Sequence, residues 1–178
     1  MGITSKGKRI LLLFDVSTSV KTKADKSGVS LTKIREETQK LISKLPITAR
    51  FGLVQFTQNF KPFHQELLPA TDPNREAAGQ WLQDEWVEGG TMSSRAKNVT
   101  RNPQGLLGVL ELAAKMQPDV IFLISDGSFQ AGRETIDWKE IKKLVKGPLQ
   151  GAEGCQLNFI GFEMKREDKS EMGAIVRS

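Results

Sequence analysis

The sequence predicts an α/β domain built on a mostly parallel sheet, and three observations carry that expectation. Residues 10–14 and 120–124 are continuously apolar, and each run ends at a carboxylate, Asp15 directly and Asp126 after Ser125. Short unbroken apolar runs suit strands covered on both faces, as in a parallel sheet between helices. Amphipathic helical patterns separate the strand patterns, and that alternation implies parallel strands joined by crossovers.

The elements follow in order. After the strand at 10–14, Leu31, Ile34, Leu41, Ile42 and Leu45 fall on one helical face, and Pro46 stops the helix. Residues 51–57 alternate more and read as a second strand, with a short edge strand expected at 64–68. Asp72-Pro73 reads as an N-cap with proline in the first turn, opening a helix through Trp81 and Leu82. Asn102-Pro103 repeats that signal before Leu106, Val109, Leu110 and Ala113. The strand at 120–124 comes next. Ile136, Ile141, Leu144 and Val145 then form a helical face that ends at Gly147-Pro148. Residues 157–162 read as a further strand and 169–176 as a last short helix.

Composition narrows the function classes. A length of 178 residues fits one domain with room for a core. The single Cys155 excludes an internal disulfide framework and a CxxC motif, and the single His64 excludes a paired-histidine zinc site. Cys155, behind Gly154, reads as a small buried residue. No apolar run approaches the ~18 residues of a spanning helix. The net charge of +5 is uneven: residues 1–50 carry 11 basic and 4 acidic side chains, residues 51–130 carry 6 and 9. Gly2 to Lys8 fits the spacing of a phosphate loop, but Arg9 stands where Ser or Thr is needed, and the run precedes a strand instead of following one. There is no GxSxG elbow.

The chemistry concentrates in three places. Asp15, Ser17 and Ser19 form an Asp-x-Ser-x-Ser run directly after the first apolar strand, Thr91 follows Gly89-Gly90, and Asp126-Gly127 follows the other apolar strand. In open α/β sheets, ligands bind beyond the carboxyl ends of the strands, at the switch point of strand order. Two carboxylates and three hydroxyls are hard oxygen donors, suited to Mg²⁺ or Mn²⁺ and not to zinc or copper. Mg²⁺ demands near-octahedral coordination, which leaves a position for an outside ligand such as a carboxylate.

This set resembles the metal-ion-dependent adhesion site of von Willebrand factor A domains, and the resemblance covers nearly the whole chain. It implies a Rossmann-like three-layer α/β/α sandwich with one antiparallel edge strand and the site at the top of the sheet. It also implies roles. Ser17 and Ser19 ligate Mg²⁺ (or Mn²⁺) directly, Thr91 directly or through water, and Asp15 and Asp126 through water or by hydrogen-bonding the ligands. An Asp or Glu of a protein partner then completes the coordination sphere. The chain departs from the family pattern at Thr18, where Gly is usual, and at Val20, where Met is usual. Residues 20–30 read as a longer link than usual and 92–102 as an insertion. Residues 1–8 are expected to be a tail or linker and 9–178 a single domain ending before the family's last edge strand.

The two long loops carry Lys21, Lys23 and Lys26 in one and Arg95, Lys97 and Arg101 in the other. Around a cation, such a basic rim attracts acidic ligands. The leading expectation is therefore a binding module and not an enzyme. It would be the soluble portion of a larger, membrane-anchored bacterial protein. A polyanion- or RNA-associated assembly module is the alternative, but the loops lack the aromatic residues that stack bases. A metal-dependent hydrolase ranks last, since no general base stands beyond the two aspartates.

Overall fold

Side-chain alternation along the central strands divides the core into two layers. In the computed structural model, which describes residues 8–129, 136–149, 154–161, 170, 172, 173 and 175, strand β1 (Arg9–Asp15) lies at the centre of the sheet. It pairs in parallel with β2 (Arg50–Phe56) on one side and β5 (Val120–Ser125) on the other. Leu11 and Leu13 of β1 pack in one cluster with Val54, Phe56, Ile121 and Leu123. Leu12 and Phe14 pack in the other with Phe51, Leu53, Phe122 and Ile124. A strand with apolar residues at both parities must be covered on both faces, which is why the sequence shows unbroken runs there.

Helices supply the cover. Helices α2 (Leu31–Ser43) and α3 (Asp72–Asp84) bring Ile42, Ala78 and Leu82 to the second cluster. Helix α4 (Leu106–Met116) and helix α5 (Trp138–Leu144), which continues as a π-turn over Val145–Leu149, bring Leu106, Val109, Leu110 and Ile141 to the first. Each such buried Leu or Ile contributes roughly 1.5–3 kcal/mol. Strand β6 (Gln156–Gly161) extends the sheet in parallel beside β5. The antiparallel edge is present but divided: β3 (Phe60–Pro62) and β4 (Leu68–Pro69) both pair with β2, in place of one strand at 64–68. This is the mixed, mostly parallel sheet between helices that the sequence predicts.

Three local expectations are corrected. The stretch 20–30 is not an extended link: helix α1 (Thr18–Lys26) fills most of it, burying Val20 and Ala24 four residues apart. Its end is a Schellman cap. Gly28, at φ +76°, donates to the Asp25 carbonyl, and Val29 N–H reaches the Ala24 carbonyl. The N-cap of α3 is Thr71, with Asp72 in the first turn beside Pro73. Asn102-Pro103 opens a turn, and α4 starts later, after Gly105. The expected final helix and the Phe162 end of the last strand lie largely outside the described residues. Within that helix, Met172 and Ile175 are described and join the core. Residues 1–7 of the expected tail lie outside as well, and Lys8 N–H is already bound to Asp119 Oδ2.

Cys155 is half-buried at the start of β6, not fully buried. Burial, with the Asp119 carboxylate nearby, pushes its thiol up to about 11. Since the thiolate is the reactive form, iodoacetamide at pH 8 is expected to alkylate the folded chain roughly 100-fold more slowly than the unfolded chain. Mass spectrometry over time, with and without denaturant, measures that ratio.

Candidate metal centre

The chain leaves β1 for α1, α2 and β2 on one side, and later returns through α4 to β5 on the other. The strand order therefore switches at β1, and Asp15 and Asp126 stand at the carboxyl ends of the two strands that flank the switch. Asp15 is 3% exposed and Asp126 fully buried.

A short hydrogen-bond chain fixes Asp15. Its Oδ1 accepts from Ser17 N–H at 3.0 Å, and its Oδ2 accepts from Ser125 Oγ–H at 2.6 Å. Ser125 Oγ in turn accepts from Gly127 N–H at 3.1 Å. Burial raises the Asp15 carboxyl to about 6, the bonds from Ser125 and Ser17 oppose the rise, and the Asp126 charge adds to it. Ser17 occupies the N-cap of α1 but makes no side-chain cap bond. Its hydroxyl instead lies 3.1 Å from that of Ser19, and both residues are half-buried.

Asp126 Oδ1 accepts from Ser128 N–H at 2.9 Å. Its Oδ2 lies 2.8 Å from Lys23 Nζ, yet receives no hydrogen bond of acceptable geometry. The contact is thus an ion pair, which this buried oxygen has in place of an aligned hydrogen bond. Lys23 Nζ also reaches Ser128 Oγ at 3.4 Å.

The structure brings Asp15, Ser17, Ser19 and Asp126 to one end of the sheet. Thr91 is exposed and makes no hydrogen bond to the other four residues. Its loop is nevertheless held firmly. Gln55 bonds the Glu85 carbonyl and Val87 N–H, Asn59 bonds the Met92 carbonyl, and Thr32 bonds Glu88. Trp86 packs edge-on against Phe14, one residue before Asp15, with ring centroids 5.3 Å apart. Gly89, at φ +82°, backs onto Lys21: a Cβ there would lie 2.7 Å from Lys21 Cδ.

The expected basic rim resolves into two kinds of residue. Lys21 and Lys23 are paired, Lys21 with Asp25 one helical turn along α1 at 2.7 Å, and Lys23 with Asp126 beyond the end of β5. Lys26, Arg95, Lys97 and Arg101 are exposed. The sequence reading missed the inward turn of Lys23. Its only signal is the four-residue step from Ser19, which puts both on one face once 18–26 is helical.

The donor chemistry suits a hard cation. Among the described residues no cluster of three or more His, Cys, Asp or Glu side chains exists, so a metal here must draw on hydroxyls and water besides the two aspartates. Asp126 Oδ2, which already faces the Lys23 ammonium, and the paired Ser17 and Ser19 hydroxyls are donors of that kind.

No family model matches the chain, and no curated protein matches it. Solved structures do. A von Willebrand factor type A protein from Catenulispora acidiphila superposes with a TM-score of 0.59 at 19% identity, over 94% of this chain and 36% of that one. BatB from Bacteroides thetaiotaomicron gives 0.59 at 14% identity, over 94% of this chain and 84% of that one. An aerotolerance-related membrane protein from Bacteroides fragilis gives 0.58 at 16% identity, over 94% and 86%. The chain spans about a third of the Catenulispora protein. At such low identity the likeness concerns architecture: this is an α/β domain with the fold of von Willebrand factor type A domains.

Proposed function

We propose that the chain is a metal-dependent protein-interaction module and not an enzyme. One observation carries the reading: two buried carboxylates stand at the switch point of the sheet at the same end as the Ser17–Ser19 hydroxyl pair, with Asp126 Oδ2 facing a cation, the Lys23 ammonium. Mg²⁺ or Mn²⁺ would be held by Ser17 and Ser19, by Thr91 from its loop, and by Asp15 and Asp126 acting through water or on the ligands. When bound, the ion supplies a Lewis-acidic position for an Asp or Glu carboxylate of a protein partner. The type A fold of the neighbouring structures supports an interaction role, and the exposed Arg95, Lys97 and Arg101 favour an acidic partner surface. No helix among the described residues is long and apolar enough to cross a membrane.

Calorimetry tests the metal. Wild type is expected to bind Mg²⁺ and Mn²⁺, and Asp126→Ala to lose about 10–100-fold in affinity. Equal heats in both proteins, or none in either, overturn the assignment. Partner binding that persists in EDTA overturns the carboxylate bridge.

A further inference from the structure

Asp126 is fully buried, and an ionised carboxylate in such a place needs a compensating charge. The structure supplies one from within. Lys23 Nζ stands 2.8 Å from Oδ2, while the Lys23 side chain keeps 22% of its surface exposed. Of the three lysines on α1, Lys21 is paired with Asp25 and Lys26 points to solvent, so Lys23 alone enters the site. It lies one helical turn after Ser19, so the helix that presents the hydroxyls also presents the ammonium.

We propose that Lys23 is a tethered counter-cation that competes with the divalent ion for Asp126. This rests on the metal-binding reading above and adds its regulation. The ammonium and a metal, or the metal-bound water that Asp126 would hold, need the same oxygen, Oδ2. An ammonium beside a divalent ion is also repelled by it. Binding therefore requires Lys23 to swing outward, for which its flexible stem and partial exposure leave room. The closed ion pair removes a fraction of the chain from the metal-competent state, and apparent affinity falls in proportion. The same pair keeps the metal-free chain folded around a buried charge, so the site needs no ion to persist.

The test compares Mn²⁺ and Mg²⁺ titrations of wild type, Lys23→Met and Lys23→Arg, with thermal melts of each in EDTA. Lys23→Met keeps the stem and removes the charge. It is expected to bind Mn²⁺ roughly tenfold more tightly than wild type. Its melting temperature in EDTA is expected to fall by several degrees, and saturating Mn²⁺ to restore it. Lys23→Arg keeps the charge and is expected to bind as weakly as wild type. If Lys23→Met does not fold without metal, Lys23→Gln carries the same comparison. Equal or weaker Mn²⁺ binding by the uncharged variants, with wild type binding normally, overturns the competition and leaves the metal reading standing. No metal binding by any of the proteins overturns both.

Discussion

Gly108→Ala is expected to destabilise the chain by about 3 kcal/mol or more, against the roughly 1 kcal/mol gain that helix propensity assigns to the same change. Gly108 sits inside α4, where alanine is normally the better residue. A Cβ at this position, however, would lie 2.1 Å from Asn102 Oδ1 and 2.8 Å from its Cγ. Asn102 cannot yield cheaply. It is 3% exposed, its Nδ2 donates to the carbonyls of Gly105 and Gln58, and its Oδ1 accepts from Gln104 N–H. Its own N–H donates to Asn59 Oδ1. Displacing the side chain leaves several of these groups unpaired in the interior, at about 1–3 kcal/mol each. Urea unfolding of the two proteins decides the sign. A variant as stable as wild type, or more so, would show that the Asn102 turn relaxes freely.

Asp15→Asn is expected to change how stability depends on pH. In the metal-free chain the Asp15 carboxyl is raised from 3.8 to about 6, chiefly by burial. Between those values the folded state holds a proton that the unfolded state releases, so this group's contribution to stability falls as pH rises through the window. By about pH 7 the loss is complete and amounts to on the order of 2–3 kcal/mol. Asparagine carries no charge at any pH and can keep the acceptor for Ser17 N–H. The variant should therefore equal wild type near pH 4 and exceed it at pH 7.5 in EDTA, while losing divalent binding. Denaturation midpoints of both proteins, taken as a difference across pH 4–7.5, separate the Asp15 contribution from that of the other carboxylates. A flat difference would mean that Asp15 ionises at its ordinary value in the fold.

The parts of the fold that were legible in the sequence are those whose physics is local. The runs at 10–14 and 120–124 announced β1 and β5 because both faces of each strand are apolar. The strand-end positions of Asp15 and Asp126 followed from the same runs. Helix α1 was hidden because Val20 and Ala24 are its only apolar residues, both buried, and a nine-residue helix otherwise made of Lys, Thr, Ser and Asp resembles a solvated loop. Gly28 was the available signal for its end. The edge strands were misplaced because β3 contains a buried Lys61 whose burial depends on an ion pair with Glu85, a partner 24 residues away. The inward turn of Lys23 depends on α1 and on β5 together, so no window of sequence around residue 23 contains it.

The pairing of β1 with both β2 and β5 also bears on how the chain reaches its folded state. Asp15 and Ser125, bonded at 2.6 Å, are 110 residues apart in sequence. Contacts of that separation incur a large loop-closure entropy before they return any stabilisation, which slows folding. Each carboxylate can hold its local partner, Ser17 N–H or Ser128 N–H, in a partly folded chain, but the Asp15–Ser125 bond forms and Asp126 comes to the end of β1 only once β5 has docked there, so such a chain lacks the assembled site. Anything that binds there recognises only chains whose central sheet is complete, and its stabilisation would appear as slower unfolding with little change in the rate of folding.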